Sequence, residues 1–226
     1  MTTLKLSAGV AFLLLSGAAY SRADVLDFSA ADMCSANNDG SGPMAACVEH
    51  SLINQAYGDS ATANVTYIDE ILGTPPGSQS LQWWDGGYNT LPAAIWGGSS
   101  DAYGDSWDEI VIAPAGGSSG ITLNSFVMGV WGGNDLSTTL QILDLGTSAV
   151  LVDYGSPSLP HGYVAPATYA PDITSADGLI ISWKNSGYNV GIDDVDFTST
   201  PEPAAWSLLA AGLGALAWVA RRRQSA

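Results

Sequence analysis

The chain has 226 residues, 22 of them acidic and six basic, for a formal charge of −16, and 46% are hydrophobic, with eight Trp and nine Tyr. This balance leaves no basic surface for nucleic acid or an anionic membrane, and the aromatic content argues against a chain held unfolded by its charge. The asymmetry is sharper in the body: between Asp24 and Thr200 lie 21 acids and a single cation, Lys184, a charge of −20 over 177 residues. Such an excess of carboxylates keeps a protein soluble and attracts divalent cations.

The chain opens with Lys5, an apolar stretch from Ala8 to Ala19, and the small residues Ser21-Arg22-Ala23. That is the three-part shape of a secretory signal peptide, residues 1–23, cleaved after Ala23. The apolar run is short for a membrane anchor and is interrupted by Gly9, Ser16 and Gly17. Residues 24–200 then form one exported domain, long enough for a single core and short for two. The only cysteines, Cys34 and Cys47, are expected to pair in a disulfide, since the chain leaves the reducing cytoplasm. The alternative, a metal site, has only Glu49 and His50 close by in sequence. A short helix is expected from Pro43 through Met44 to Leu52, because proline suits the first helical turn.

Beyond it, short apolar segments rich in β-branched and aromatic residues alternate with Gly, Ser, Pro, Asn and Asp clusters, which is an all-β pattern. Ten strands are predicted: 25–28, 64–68, 81–84, 94–96, 109–112, 121–130, 138–145, 150–154, 179–183 and 190–197. Their number and spacing point to a single β-sandwich or jelly roll. In the sixth, the apolar parity changes from Ile121 and Leu123 to Phe126, Met128 and Val130, so a bulge is expected near Asn124 and Ser125. In the last, alternation places Asp193 with the core residues Val195 and Phe197. A carboxylate there needs backbone donors, a cation or a proton, or a bulge that turns it outward.

Several constellations carry potential chemistry. Gly116, Ser118 and Gly120 match a G-x-S-x-G pattern, with Asp144 or Asp153 and His161 following in triad order. The pattern needs a strand, a sharp turn and a helix, whereas here a strand follows, so a hairpin turn is expected and no catalytic residue is assigned. Adjacent acids at Asp69-Glu70 and Asp108-Glu109 suit a glycosidase only if carboxyls from different strands meet, because neighbours on one strand point to opposite faces. Aromatic rings interleaved with Gly and Asp fill two regions. Trp84, Asp85, Tyr88, Trp96 and Tyr103 are the candidate glycan-binding residues, because rings stack on the C–H faces of sugars while carboxylates bond their hydroxyls. Only one of Trp83 and Trp84 can face the core of a regular strand.

At the far end Pro201-Glu202-Pro203 precedes an uncharged stretch from Ala204 to Ala220 and then Arg221-Arg222-Arg223. As a helix, 204–220 spans roughly 25 Å, near the lower limit for a bilayer. The arginines hold the extreme C-terminus in the cytoplasm and leave everything upstream outside. The two prolines stop the helix from extending outward and keep an extended segment before it. This arrangement resembles the PEP-CTERM sorting tail, here residues 201–226. The resemblance implies a Gram-negative producer of exopolysaccharide, export through the secretion machinery, and temporary anchoring in the inner membrane. It also implies processing by an exosortase near the motif, with release to the cell surface or the exterior.

The body, on Ser106-Trp107-Asp108-Glu109-Ile110-Val111-Ile112, Leu123-Asn124-Ser125-Phe126 and Gly191-Ile192-Asp193-Asp194-Val195-Asp196-Phe197, resembles jelly-roll modules similar to galactose-binding-like carbohydrate-binding domains. That resemblance implies a structural calcium, for which Asp39, in the turn Asn37-Asn38-Asp39-Gly40, joins Asp193 and Asp194 as candidate ligands. The expected function is that of a non-catalytic envelope or extracellular-matrix protein. The alternatives are a lectin-like module that recognises exopolysaccharide and, third, an envelope hydrolase.

Overall fold

The computed structural model describes residues 22–29, 32–70, 79–97, 107–184 and 189–201, together with Gly212 and Gly214. Sixteen strands occur in chain order: β1 (Arg22–Leu26), β2 (Cys34–Ser35), β3 (Met44–Ala45), β4 (Ala63–Glu70), β5 (Gln82–Trp84), β6 (Ala94–Trp96), β7 (Trp107–Pro114) and β8 (Ser118–Val130). They continue with β9 (Leu136–Ser137), β10 (Thr139–Asp144), β11 (Val150–Asp153), β12 (Ser158–Leu159), β13 (Ala167–Tyr169), β14 (Ile173–Ser175), β15 (Leu179–Lys184) and β16 (Val190–Pro201). The protein is all-β, as its sequence pattern requires, and each of the ten predicted segments contains a strand.

A seven-stranded sheet runs β13-β8-β16-β6-β5, with β1 also on β16 and β14 also on β8; a five-stranded sheet runs β11-β10-β15-β7-β4. One hydrophobic cluster draws on both. Ile110, Ile112, Ile142, Ile181 and Trp183 come from the smaller sheet, and Ile121, Phe126, Met128, Val195 and Phe197 from the larger. This common core is sandwich-like. Every second residue of β7, Asp108, Ile110 and Ile112, is buried, the signature of a strand with one face inward. Truncating a ring such as Phe126 in this core costs about 3–5 kcal/mol.

The longest pairing, β8 with β16, contains the bulge that the change of parity predicts. Asp196 pairs with Ser125 and Phe197 with Leu123, so Asn124 is the extra residue. Its amide donates to Asp196 Oδ1 at 3.0 Å and Thr198 Oγ1 at 2.9 Å. A second irregularity lies in β16 between Asp193 and Asp196, where Asp194 adopts φ +49°. The two offsets compensate, and the ladder continues to Pro201, which pairs with Ser118.

Cys34 and Cys47 form the expected disulfide. Closing so short a loop stabilises by about 3 kcal/mol on the chain-entropy argument. The helix expected at 43–52 does not form. Ser35 pairs with Met44 and Cys34 with Ala45, while a turn closes from Ser51 N–H to the Val48 carbonyl. Hairpin and disulfide outweigh the weak local preference of a proline start.

One feature of the interior is costly. Asp69 of β4 and Asp108 of β7 are cross-strand partners, both fully buried and on the core-facing row that continues to Trp183. Their carboxyls face each other across the two strands, and the Gly97 backbone closes over Asp108. A Cβ at residue 97 would sit 1.8 Å from Asp108 Oδ1, so only glycine allows this approach. Burial, then the neighbouring Asp69 charge, pushes the Asp108 carboxyl well above its ordinary value of 3.8. The folded state thus holds a proton that the unfolded chain releases. This contribution to stability is complete below about pH 3.8 and is lost as pH rises through the raised value. Asp108→Asn keeps a donor to Asp69 without the titration. Denaturant midpoints measured from pH 4 to 9 are expected to fall less steeply with pH in the Asn variant than in the parent.

Candidate functional site

The β5–β6 hairpin pairs Gln82 with Trp96 and Trp84 with Ala94. Alternation sends Trp83 to the main core, where its indole N–H donates to the Phe28 carbonyl at 2.8 Å. Trp84 and Trp96 then share the other face, their rings 6.2 Å apart and nearly perpendicular. Tyr88, Leu91, Ala94 and Trp96 make a second small cluster there, with Trp84 packed against it.

Glycines cut the space for Tyr88. Gly129 and Gly191 are cross-strand partners, and a Cβ on either would approach Tyr88 atoms within 3 Å, at the carbonyl and the ring respectively. Tyr88 bridges in turn to Trp131, just past the end of β8. Asn89, at φ +55°, secures this corner: its Oδ1 accepts from Val130 N–H at 2.6 Å, and its amide donates to the carbonyls of Pro160 and Gly162. Trp131 stands 41% exposed, its ring 6.3 Å from Trp84. Trp84, Tyr88, Trp96 and Trp131 together line a shallow hollow of about 20 Å³. His50 stacks edge-on against Trp84 at 4.8 Å and Trp96 at 5.7 Å.

Three of the sequence-predicted glycan residues, Trp84, Tyr88 and Trp96, therefore meet. Asp85 is exposed directly after β5, and Tyr103 lies outside the described residues. Sequence reasoning missed Trp131 and His50. Trp131 had a signal, because it falls out of phase with the buried series Phe126, Met128 and Val130 and so had to face outward. His50, a lone histidine in a turn, carried none.

The expected metal ligands divide. Asp39 spends Oδ1 on Ser41 N–H and hydroxyl, both at 2.8 Å, and on Ser35, which hold it ionised below its usual range. It does not join the others. Asp193 and Asp194 instead gather with Asp27, each offering an oxygen within 4.8 Å of the rest. Asp193 is buried and takes the backbone N–H groups of Phe28 and Asp194, at 2.9 and 2.8 Å, as the backbone-donor expectation required. Burial still pushes its carboxyl up to about 6, and burial followed by the Asp27 charge raises Asp194. Three oxygen donors that repel one another are a donor set that suits calcium.

The G-x-S-x-G pattern occupies a hairpin turn. Gly116 and Gly117 take φ +57° and +90°, and Ser118 N–H closes on the Ala115 carbonyl. The Ser118 hydroxyl lies 3.0 Å from the Thr200 carbonyl, while His161 pairs with Asp135 and Asp144 with Ser175 and Thr147. No triad assembles from these residues. Asp69 and Asp108 do meet across strands, but inside the core rather than at a surface.

Of the sorting residues, the backbone of Pro201 closes β16, whereas Glu202, Pro203, Arg221, Arg222 and Arg223 lie outside the described residues. So do residues 1–21 of the expected signal peptide and the span 204–220, apart from helical Gly212 and Gly214. Among the described residues no helix is long and apolar enough to cross a membrane.

A disulfide-closed all-β body that runs directly into Pro-Glu-Pro and a basic end has the make-up of an exported, sorted protein. A family model, the PEP-CTERM protein-sorting motif, matches residues 199–224. The chain thus carries a PEP-CTERM sorting motif, which marks an exported protein processed by an exosortase and sorted to the envelope. No curated protein matches the chain.

Proposed function

We infer that the mature body is a non-catalytic protein of the cell envelope or extracellular matrix, built as a single β-sandwich of jelly-roll type, that binds exopolysaccharide. The observation that carries this reading is the aromatic hollow. Trp131 is exposed, Trp84 is half-buried, and both are backed by the buried rings of Tyr88 and Trp96. Rings anchored from behind offer a sugar a rigid apolar face with little entropy left to lose. The lectin-like reading therefore joins the structural one. The carbohydrate-binding resemblance of the body agrees with it.

The hydrolase reading has less support, since the Ser118 hydroxyl is engaged with backbone and the paired acids lie out of reach of a substrate. Before processing, the helix 204–220 anchors the chain in the inner membrane of a Gram-negative exopolysaccharide producer, and exosortase cleavage near Pro-Glu-Pro frees it. A structural calcium at Asp27, Asp193 and Asp194 is a second element of the proposal, supported by their convergence.

Each part has its measurement. Replacing Pro201-Glu202-Pro203 by three alanines is expected to leave the tail on and the protein in the membrane fraction, whereas the parent shows an intact mass lacking both ends. Unchanged full-length mass in both would reduce the tail to a plain anchor. Trp131→Ala and Trp84→Ala are expected to weaken retention on the host polysaccharide about tenfold, a loss near 1.4 kcal/mol, with circular dichroism unchanged. Calcium at saturating concentration is expected to raise the melting temperature, and Asp194→Asn to abolish the increase. A melting temperature indifferent to calcium removes the metal.

A further inference from the structure

The aromatic hollow does not stand alone. On the same face of β5, two residues before Trp84, Gln82 lines a second hollow of about 420 Å³ with Asn38, Asp39, His50, Leu52 and Gln79. His50 is the partition. Its ring packs on Trp84 and Trp96, and its Nδ1 lies 3.0 Å from Gln82 Oε1. His50 also holds φ +67°, a backbone conformation that costs a non-glycine residue on the order of 1 kcal/mol and collects at binding sites.

The two hollows differ in chemistry. One presents rings; the other presents amides, which both donate to and accept from hydroxyls, and a carboxylate, which accepts from them. The aromatic hollow, at about 20 Å³, is far smaller than the roughly 300–1,000 Å³ of ordinary ligand pockets, so a sugar lies across its rim and any further unit must extend into its neighbour.

Charge selects among such ligands. The polar hollow contains Asp39, held ionised by Ser41, and its lining has no Lys or Arg. The body offers one cation to 21 acids, and that cation, Lys184, sits over the Trp107 ring at 4.7 Å in the five-stranded sheet. Nothing in the groove compensates a carboxylate, sulfate or phosphate on a sugar, and the field of the whole body repels one.

The geometry points to a single groove made of both hollows whose occupant is an uncharged polysaccharide chain. One sugar ring lies flat on Trp131 with its edge toward the nearly perpendicular Trp84 ring, and the adjoining units lie against His50, Gln79 and Gln82. This rests on the glycan reading of the aromatic hollow and adds the length and charge of the ligand.

The test uses the mature protein, uncharged hexose oligomers of one to six units, and uronate oligomers of matched length, titrated at low and high salt. Affinity for the uncharged series is expected to rise over the first three units. Gln82→Ala should remove about tenfold of that gain while leaving single-ring binding, seen by ligand-observed NMR, intact. Gln79→Ala, at an exposed side chain, repeats the measurement without disturbing His50. Uronates are expected to bind at least about tenfold more weakly at low salt, with the gap narrowing as salt is added. A flat length series, or uronates that bind as tightly as uncharged oligomers, overturns the proposal while leaving aromatic sugar binding in place. Failure of every oligomer to bind removes the glycan reading itself.

Discussion

The pairing of β8 with β16 sets the position of almost everything else. It places Gly129 opposite Gly191, which opens the slot for Tyr88, and it ends at Val130, from which Trp131 projects. Farther along, the bulges at Asn124 and Asp194 repair each other's register, so Val195 and Phe197 stay in the core while Asp193 is drawn onto the backbone of Phe28. A one-residue slip in this ladder would turn both strands inside out. Asn124 opposes that slip through side-chain bonds to Asp196 and Thr198 that only one register permits.

The second constraint is the shortage of cations. With Lys184 alone in the body, carboxylates are satisfied by other means. Asp39, Asp144 and Asp153 accept from backbone N–H groups in turns, which is why they punctuate the chain where it bends, and Asp59 accepts from Val65 N–H in β4. Asp193 accepts two backbone donors. Asp69 and Asp108 lie buried against each other, and burial, then the Asp69 charge, keeps the Asp108 carboxyl protonated well above its ordinary range. Ion pairing, the usual remedy for a buried carboxylate, has little part here, and the interior leans on glycine and main-chain geometry instead.

The fold was legible in the sequence because alternation and punctuation agree. The parity change between Leu123 and Phe126 located a bulge near Asn124 and Ser125, where it falls, and the Trp83-Trp84 pair announced that one ring would be outward. What escaped were contacts made at long range. Asp69 and Asp108 read as two separate acidic pairs, because only the register of β4 on β7 brings them together. Asp27 joins Asp193 through the approach of β1 to β16, which no local pattern encodes. The helix drawn at Met44 shows the opposite error, a local preference overruled by a hairpin and a disulfide.

The last strand has a final consequence. Its ladder reaches Pro201, where Ser118 and Ser119 hold the Thr200 carbonyl, and proline has no N–H left to pair. The last described rung of the sheet therefore falls on the first residue of the sorting motif. A cut on the far side of Pro201 breaks a covalent bond without disturbing any rung of the sheet, so the released body keeps the stability of the tethered one. At this end of the chain maturation is a change of address that leaves every described rung of β16 in place.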